Sequence, residues 1–338
     1  MNRLILIDGI NFFYRGAWGG GEVCTLQGQD MSYVLSYFRN LDSLVRHFGV
    51  TDKNKYIICW DGGYDERLRI SSEAVQKGII PKAYKQERRE SYDVEDEEEK
   101  KKAESFMFQM KEAKKLTEYT IISQMWWAGE EADDLIGSYS VKYYNDFDEI
   151  ILVTTDKDYY QLINDKVIIY NSGKNEYRNL NYLKKEYNLD NGKQWIEVGA
   201  LAGETGKSSD TIYGVPGIGY ITAAKLIAKY KNIDNLINES KLELSSEILK
   251  FKDVKELYDK VKSHQYKLKH HQKEMYILAH LDIVNLAKQL KAMRTFLDVP
   301  MMNANPSWIE LDKAFKDMGF PVSSWTVENL TEVNKYGW

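Results

Sequence analysis

Five short apolar runs in the first half of the chain constrain its fold more than any other feature. They have the length of buried strands and lie at residues 4–7, 56–60, 119–123, 150–155 and 166–170. Segments with helical periodicity separate them, at residues 32–48, 98–116 and 131–145. Strands that alternate with helices predict a mostly parallel sheet covered by helices on both faces, which is an α/β fold.

The second half of the chain has a different pattern. Beyond about residue 195 the strand signal fades, and the sequence to about residue 292 has only helical patterns. A length of 338 residues also favours two units over one compact core. We therefore expect an α/β domain over residues 1–195, an all-helical unit over residues 196–294, and a C-terminal segment, residues 295–338, that packs back on the helical unit.

Composition excludes several kinds of site. Cys24 and Cys59 cannot by themselves form a disulfide framework or a cysteine-rich metal site, and the five histidines have no zinc-binding spacing. The first apolar run ends at Asp8, too early for a signal peptide or a membrane span. We expect a cytoplasmic protein with no membrane partner. A net charge of −5 argues against a uniformly basic nucleic-acid binder, so local patches must decide.

Acidic residues follow four of the strand-like runs. They are Asp8, Asp61, Glu131, Asp133, Asp134, Asp156 and Asp158. Strand ends of an open α/β sheet meet at one edge, where ligands bind, so we expect these side chains to converge. Each acid alone could be a helix cap. The sequence GEEADDLIG, however, crowds four carboxylates into five positions, and that repulsion is tolerable if cations neutralise it.

The type of ligand predicts the type of cation. Oxygen ligands without histidine or thiolate select hard ions, so we expect Mg²⁺ or Mn²⁺. Two such ions about 3.5–4 Å apart would activate a water and stabilise both oxygens of an in-line phosphoryl displacement. Phosphodiester hydrolysis is therefore the leading hypothesis for the chemistry.

A glycine-rich turn and a basic segment in the helical half fit a nucleic-acid backbone. Gly214, Gly217 and Gly219 directly precede an amphipathic helix that carries Lys225. Backbone N–H groups at a helix start bind phosphate, although an ordinary capping turn would have the same pattern. Residues 250–294 carry eleven Lys or Arg against five Asp or Glu, which indicates either a duplex-binding face or a solvated helix surface.

The sequence PKAYKQERRE at residues 81–90 predicts a second cationic element. A helix there would present Tyr84, Lys85 and Arg88 on adjoining faces. The tyrosine ring could then stack on an unpaired base while the two cations hold the scissile phosphate.

Taken in order, these segments resemble the 5′ nuclease superfamily, which includes flap endonucleases, the 5′→3′ exonuclease domain of bacterial DNA polymerase I and stand-alone phage 5′ exonucleases. The resemblance rests on ILIDGINFFYR, WDGG, YKQER, GEEADDLIG, TTDKDYYQLI and GVPGIGYITAAKLI, which span roughly residues 4–230. It implies a PIN-like nuclease domain with a helical arch around residues 71–115, followed by a helix-three-turn-helix DNA-binding unit. The implied activity is metal-dependent 5′→3′ exonuclease and flap endonuclease cleavage of 5′ ends, flaps and RNA primers during DNA replication.

The resemblance also implies a role for each matching residue. The implied metal ligands are Asp8, Asp61, Glu131, Asp133 and Asp134 in one cluster, and Asp156, Asp158 and Asp210 in a second. The implied catalytic residues are Lys85, Arg88 and Asp8, and the implied substrate contacts are Arg15, Tyr84, Gly214, Gly217, Gly219 and Lys225. A potassium ion is implied at the glycine turn. A further phosphate-binding arginine corresponds to Arg67 or Arg69.

One departure from the family pattern concerns the second cluster. The family places two aspartates three residues apart before the glycine turn, whereas this chain has Glu204 and Asp210, six residues apart, with Lys207 between them. Asp210 fits the second position, and Glu204 is a ligand only if the extra residues loop out. Low occupancy of the second metal would favour one of the enzyme's two activities over the other.

Two other functions share part of this pattern. A PIN-type ribonuclease acting on single-stranded RNA needs the acidic edge but neither the glycine turn nor the basic segment. A DNA-binding protein with a degenerate site would have no reason to keep seven mutually repelling carboxylates. The expected partners of the nuclease are DNA with a 5′ flap or nick, an RNA–DNA hybrid, and a replication polymerase or single-strand-binding protein. We expect a monomer, in the host cytoplasm if it is phage-encoded.

Overall fold

The computed structural model describes residues 1–16, 30–92, 97–206, 209–320 and 324–331. A six-stranded sheet lies at its centre, formed by β1 (Arg3–Asp8), β2 (Asn54–Trp60), β3 (Ser123–Trp126), β4 (Glu149–Val153), β5 (Val167–Asn171) and β6 (Glu176–Arg178). The strand order is β3-β2-β1-β4-β5-β6, and all neighbours are parallel except β5 and β6. The predicted mostly parallel α/β fold is confirmed.

Helices connect the strands and continue through the second half of the chain. The first half contains α1 (Gly9–Gly16), α2 (Ser32–Phe48), α3 (Asp65–Gln76), α4 (Gln86–Tyr92), α5 (Glu97–Thr117), α6 (Ala132–Lys142) and a 3₁₀ helix (Asp158–Leu162). The second half contains α7 (Leu180–Tyr187), α8 (Gln194–Ala202), α9 (Tyr220–Tyr230), α10 (Ile233–Glu243), α11 (Ser245–Ile248), α12 (Val254–Lys262), α13 (Gln272–Ala279), α14 (Leu281–Lys291), α15 (Trp308–Asp317) and α16 (Ser324–Thr331). Side-chain caps fix several starts: Asn232 accepts from the backbone at α10, and Asp253 does so at α12. Within the described residues, no helix is both long and apolar enough to cross a bilayer.

Alternation along β1 divides the core between the two faces of the sheet. Leu4 and Leu6 face one side, Ile5 and Ile7 face the other, and all four are fully buried. Helices α3, α6, α8, α9 and α14 cover the first face, whereas α1, α2, α5, α15 and α16 cover the second. Because burial of each such side chain contributes about 1.5–3 kcal/mol, β1 anchors both helical layers.

Two strand predictions need correction. Residues 119–122 are not in a strand, because Tyr119 and Thr120 donate backbone hydrogen bonds to Leu116 and Thr117 at the end of α5. The strand itself begins at Ser123. Strand β6 was missed because it has three residues and no apolar run.

The C-terminal segment, predicted to pack back on the helical unit, has most of its contacts with the sheet and the helices around it, and Val299 lies in the core that the two halves share. Phe315 of α15 lies edge-on to Phe38 of α2, with ring centroids 5.0 Å apart, and α16 also contacts α2. Met302 and Gln124 exchange backbone hydrogen bonds of 2.9 Å along the outer strand β3. Apolar side chains of the segment complete the core on the second face of the sheet.

The helical half shares its core with the sheet. Trp195 and Val198 of α8 and Ile227 of α9 belong to the same buried cluster as Leu152 of β4. A separate apolar cluster joins α12 to α13 farther along the chain. The boundary predicted at residue 195 therefore runs through a continuous core, which holds α8 and α14 firmly against the sheet.

Candidate active site

A cavity of about 1130 Å³ opens at the carboxyl edge of the sheet. Strands β1, β2 and β4 end at this edge, and the strand order reverses between β1 and β4, which is where open α/β sheets bind ligands. The predicted acids that line the cavity are Asp8, Asp61, Glu131, Asp133, Asp156, Asp158 and Asp210. The fold thus brings together acids from segments that are remote in sequence.

Four of these acids form what we call the strand-end cluster, namely Asp8, Asp61, Asp133 and Asp156. Asp8 accepts hydrogen bonds from Asn11 N at 3.2 Å and Thr154 Oγ1 at 3.1 Å. Asp61 accepts one from Ala132 N, the first residue of α6, at 2.7 Å. The strand ends and the start of α6 therefore hold these carboxylates in fixed orientations.

Burial raises the pKa values of three acids in the strand-end cluster. Burial, and then the neighbouring Asp61 carboxylate, raises the pKa of Asp8 to about 7. Burial also raises the pKa of Asp61, and burial together with the Asp158 charge raises the pKa of Asp156 well above its ordinary value. In the described part of the chain, no lysine or arginine forms a salt bridge with Asp8, Asp61 or Asp156. A hard divalent cation would stabilise the ionised form of all three, so this donor set fits such an ion.

A second group of acids, Asp158, Glu204 and Asp210, surrounds a buried lysine, and we call it the Lys291 cluster. Among the described residues, these three alone have carboxylate oxygens that all lie within 4.8 Å of one another. Lys291 Nζ donates to Asp158 Oδ2 at 2.8 Å and to Glu204 Oε2 at 2.6 Å. Only 3% of the lysine side chain is exposed. An ammonium group therefore lies where the family resemblance implies a second metal.

Glu204 reaches this cluster through a small hairpin. Its backbone N–H donates to Ile212 O at 2.5 Å, and Ile212 N donates to Glu204 O at 2.7 Å. This pairing holds Glu204 beside Lys291, in the cluster where a ligand role for Glu204 requires it. Lys207 lies outside the described residues.

Sequence reasoning missed Lys291. It lies on the buried face of the amphipathic helix α14, beside Ala287 and Leu290. Burial opposes its charge, but Asp158 and the groups around it raise the pKa of Lys291 well above its ordinary value, so it stays an ammonium ion. A lysine at a core position of a helix is the signal that could have identified it, because a buried ammonium needs acidic partners.

Lys85 and Tyr84 connect Glu131 with the Lys291 cluster. Lys85 Nζ donates to Glu131 Oε1 at 2.5 Å and lies 3.7 Å from Asp210 Oδ1. The Tyr84 hydroxyl lies 3.2 Å from Glu131 Oε1 and 3.1 Å from Asp210 Oδ2. The helix predicted over this motif begins only at Gln86, and the Tyr84 ring is buried. The prediction that Tyr84 stacks on an unpaired base is therefore wrong, because the ring has no free face.

Arginines, rather than a metal, neutralise much of the GEEADDLIG motif. Asp134 is fully buried, with both its oxygens 3.0 Å from Arg67 nitrogens and Oδ2 2.9 Å from Arg294 Nε. Arg294 also pairs with Glu130. Neighbouring residues of a helix point about 100° apart, so Asp133 lines the cavity whereas Asp134 points away from it. We therefore leave Asp134 out of the proposed ligand set.

The other predicted cations are divided between the cavity and the rest of the surface. Arg88 lines the cavity, inside α4. Arg15 instead donates to Ser172 Oγ at 2.8 Å beside a separate, smaller pocket. Arg67 is buried among acids, and Arg69 is exposed and pairs with two glutamates of α3, so neither is free to bind phosphate.

The glycine turn presents backbone groups at the start of α9. A Cβ on Gly214 would clash with the backbone at the end of α8, whereas Gly217 has a φ of +76° and Gly219 is the N-cap residue with open space beside it. Lys225 is exposed on α9. Lys273 Nζ donates to Gly217 O at 2.8 Å, so an ammonium competes for a carbonyl of the turn at which a potassium ion is expected.

Relatives of known family match most of this architecture. The family described as 5′-3′ exonuclease, N-terminal resolvase-like domain, matches residues 3–188. A 5′-3′ exonuclease from Buchnera aphidicola subsp. Schizaphis graminum is 39% identical over 110 residues, which are 32% of this chain and 37% of that protein. A 5′-3′ exonuclease from Bacillus subtilis is 28% identical over 259 residues, which are 71% of this chain and 75% of that protein.

The fold is also similar to a solved structure, that of the phage T5 5′-exonuclease with bound zinc. The TM-score is 0.64 at 21% identity, and the match covers 98% of this chain and 97% of that one. The chain spans just over a third of the Buchnera relative, so the activity of that whole protein extends to this chain only as a proposal. The family match covers more than half of the chain. The chain therefore belongs to the 5′-3′ exonuclease family, a group of nuclease enzymes within the 5′ nuclease superfamily that its motifs predicted.

Proposed function

We propose that the protein is a divalent-metal-dependent 5′→3′ exonuclease and flap endonuclease. Its substrates would be DNA with 5′ ends, flaps or nicks and RNA primers on DNA, cleaved by phosphodiester hydrolysis during replication. The observation that carries this proposal is the strand-end cluster. Its acids line a wide cavity, and among the described residues no lysine or arginine forms a salt bridge with Asp8, Asp61 or Asp156.

The strand-end cluster is suited to a hard divalent ion such as Mg²⁺ or Mn²⁺. Held by Asp8, Asp61, Asp133 and Asp156, such an ion would polarise a water and stabilise charge on the phosphate. The protein contributes orientation: hydrogen bonds from Asn11 and Thr154 keep the Asp8 carboxylate in place before any ligand arrives. Such preorganisation lowers the free energy that binding must supply.

Lys85 is the cation best placed to receive the scissile phosphate. It lines the cavity with Arg88, and its present partner is Glu131. Arg67 also pairs with Glu131, so Lys85 can exchange Glu131 for a phosphate oxygen while that buried carboxylate keeps a cationic partner. In this role Lys85 orients the phosphate and balances its charge, while the protons of the reaction move elsewhere.

We propose that duplex DNA lies over the start of α9. The turn at Gly217 and Gly219 exposes backbone groups there, and Lys225 adds a positive charge. Contacts of this kind position a phosphate backbone without reading its sequence, which suits an enzyme that selects structure. A potassium ion at this turn, a replication polymerase or single-strand-binding protein as partner, and action as a cytoplasmic monomer are further parts of the proposal.

Cleavage of end-labelled substrates tests the function. With Mg²⁺ we expect products from flap, nicked and RNA-primed duplexes, and we expect chelator or Asp156→Asn to abolish cleavage while DNA binding persists. A matched control is Asp146→Asn, which changes an exposed aspartate before β4, at the opposite edge of the sheet. Full cleavage by Asp156→Asn would refute the proposal. Efficient cleavage of linear single-stranded RNA, with flap DNA left intact, would favour the ribonuclease alternative.

A further inference from the structure

We infer that Lys291 is a built-in cation that takes the place of a second divalent ion, so that the protein holds one such ion in its site rather than two. The inference rests on the proposed nuclease function and specifies how its metal site is constructed. Fold family and sequence motifs both imply two ions. The residues of the Lys291 cluster do not fit the second one.

The first argument is geometric. Lys291 Nζ lies 2.8 Å from Asp158 and 2.6 Å from Glu204, so it bonds to two of the three acids that would ligate the ion. A magnesium ion requires oxygens at about 2.0–2.1 Å in a near-octahedral arrangement. The ammonium already bonds to oxygens of two of these carboxylates, so a divalent ion held by the same acids would meet a positive charge at close range.

The second argument is that the surrounding structure is shaped to hold this lysine. Gly199 lies inside α8, where glycine is intrinsically unfavourable. A Cβ at this position would lie only 3.3 Å from Cγ and Cδ of Lys291 and 3.7 Å from Cε. The missing side chain therefore makes room for the lysine stem, which runs along α8 toward the acids.

Hydrogen bonds also fix the helix end that carries the lysine. Gln161 Nε2 donates to Lys291 O at 3.0 Å, and Gln161 Oε1 accepts from Met293 N at 2.9 Å. Gln161 itself is buried within the 3₁₀ helix that begins at Asp158. The segment that supplies one acid of the cluster thus also anchors the lysine, so the ammonium and its partner form one unit.

Lys288 shows what an ordinary lysine pair on the same helix looks like. It lies almost one turn earlier on α14 and pairs with Glu197 at 2.6 Å, but 39% of its side chain is exposed, against 3% for Lys291. Solvent competes for such a surface pair, so its loss matters little. Lys288 is therefore a matched control for charge, helix and pairing, and it differs from Lys291 in burial and in location.

The experiment counts bound ions without using activity. The metal-free full chain is titrated with Mn²⁺ while electron paramagnetic resonance follows the free ion. We expect one tight site in the wild type and in Lys288→Met, and two in Lys291→Met, in which Asp158 and Glu204 lose their cation. Magnetic coupling between two neighbouring Mn²⁺ ions should appear only in Lys291→Met.

Each outcome separates the inference from the proposed function. Two tight ions in the wild type would overturn the role of Lys291 and leave the nuclease function standing. A folded Lys291→Met that still binds one ion would also overturn it. No bound ion in the wild type would overturn the metal-dependent function, and this inference with it. If Lys291→Met does not fold, as judged by circular dichroism, the wild-type count alone decides.

Discussion

The strand-end cluster and the Lys291 cluster lie along the same cavity but are stabilised in opposite ways. Asp8, Asp61 and Asp156 form no salt bridge with a lysine or arginine in the described chain, and their pKa values are raised. Asp158 and Glu204 share a buried ammonium. The Lys291 cluster has its counter-charge within the protein, whereas we propose that a divalent ion supplies it to the strand-end cluster.

The distances between carboxylate oxygens also differ between the two clusters, in line with whether a cation lies among them. Oxygens of the Lys291 cluster lie within 4.8 Å of one another, and within the described ranges no three acids of the strand-end cluster come that close. Carboxylates repel unless a cation lies between them. The contrast teaches that an acidic motif does not by itself indicate a metal, because the protein can supply the counter-charge from its own side chains.

Neutralising one acid in each cluster should separate them most strongly. We expect Asp8→Asn to reduce cleavage by about three orders of magnitude or more. The same change should raise the free energy of unfolding of the metal-free protein at pH 8 by about 1–3 kcal/mol, because it removes a buried charge that has no salt-bridge partner. Glu204→Gln should instead lower the free energy of unfolding, because Lys291 loses an acidic partner, and it should reduce cleavage less than Asp8→Asn does. Single-turnover rates and urea unfolding measure both. Equal effects of the two variants on stability would refute the contrast.

The strand-end cluster should also make stability depend on pH and metal. A carboxyl whose pKa is raised to about 7 in the folded state, as for Asp8, binds protons more tightly than in the unfolded chain. Stability of the metal-free protein therefore falls as pH rises from about 4 to 7. Mg²⁺ should consequently raise Tm more at pH 8 than at pH 6, where protons compete for the acids. Scanning fluorimetry with and without Mg²⁺ measures this, and Asp8→Asn should flatten the difference.

Lys85 lies between the clusters, and its removal should change rate more than affinity. For Lys85→Ala we expect single-turnover cleavage to fall about 10–100-fold, with flap-DNA affinity within about threefold, because its proposed contact is with one phosphate in the reacting geometry. Lys82→Ala removes a more exposed lysine that lines the same cavity and serves as the control. Unchanged single-turnover rates would remove Lys85 from the mechanism.

Gly199→Ala should give the smallest effect and probes the Lys291 cluster alone. Alanine improves helix propensity by about 1 kcal/mol but places a Cβ against the lysine stem. The gain in helix propensity and the steric cost of the added Cβ should nearly cancel, so we expect the free energy of unfolding to stay within about 1 kcal/mol of wild type. The Lys291 ammonium should be displaced, and a second Mn²⁺ site should appear. A clear stabilisation with one Mn²⁺ still bound would show that the glycine has no role in holding Lys291.

Patterns local in sequence predicted much of the fold and part of the candidate site. The apolar runs at β1, β2, β4 and β5 located the strands, and chain order located Asp8, Asp61 and Asp156 at their ends. The sequence did not predict which way each acidic side chain points. Asp133 and Asp134 are adjacent, yet Asp133 lines the cavity and Asp134 is buried between two arginines.

The site features that the sequence did not predict depend on contacts between segments that are distant in the chain. Lys291 meets Asp158 across 133 positions of the chain, and no local pattern records such a pairing. The Tyr84 motif resembled an exposed helix face because the tyrosine precedes the helix start and is drawn inward by Glu131 and Asp210. Buried polar networks of this kind depend on tertiary packing rather than on periodicity.

The C-terminal segment has a protective consequence that goes beyond packing. At Met302 it pairs with Gln124, so it caps the outermost strand of the sheet, whose backbone groups would otherwise be open to another chain. A version shortened before residue 302 would expose that rim together with the apolar side chains of α2. We expect such a molecule to retain the cavity but to self-associate through the exposed strand.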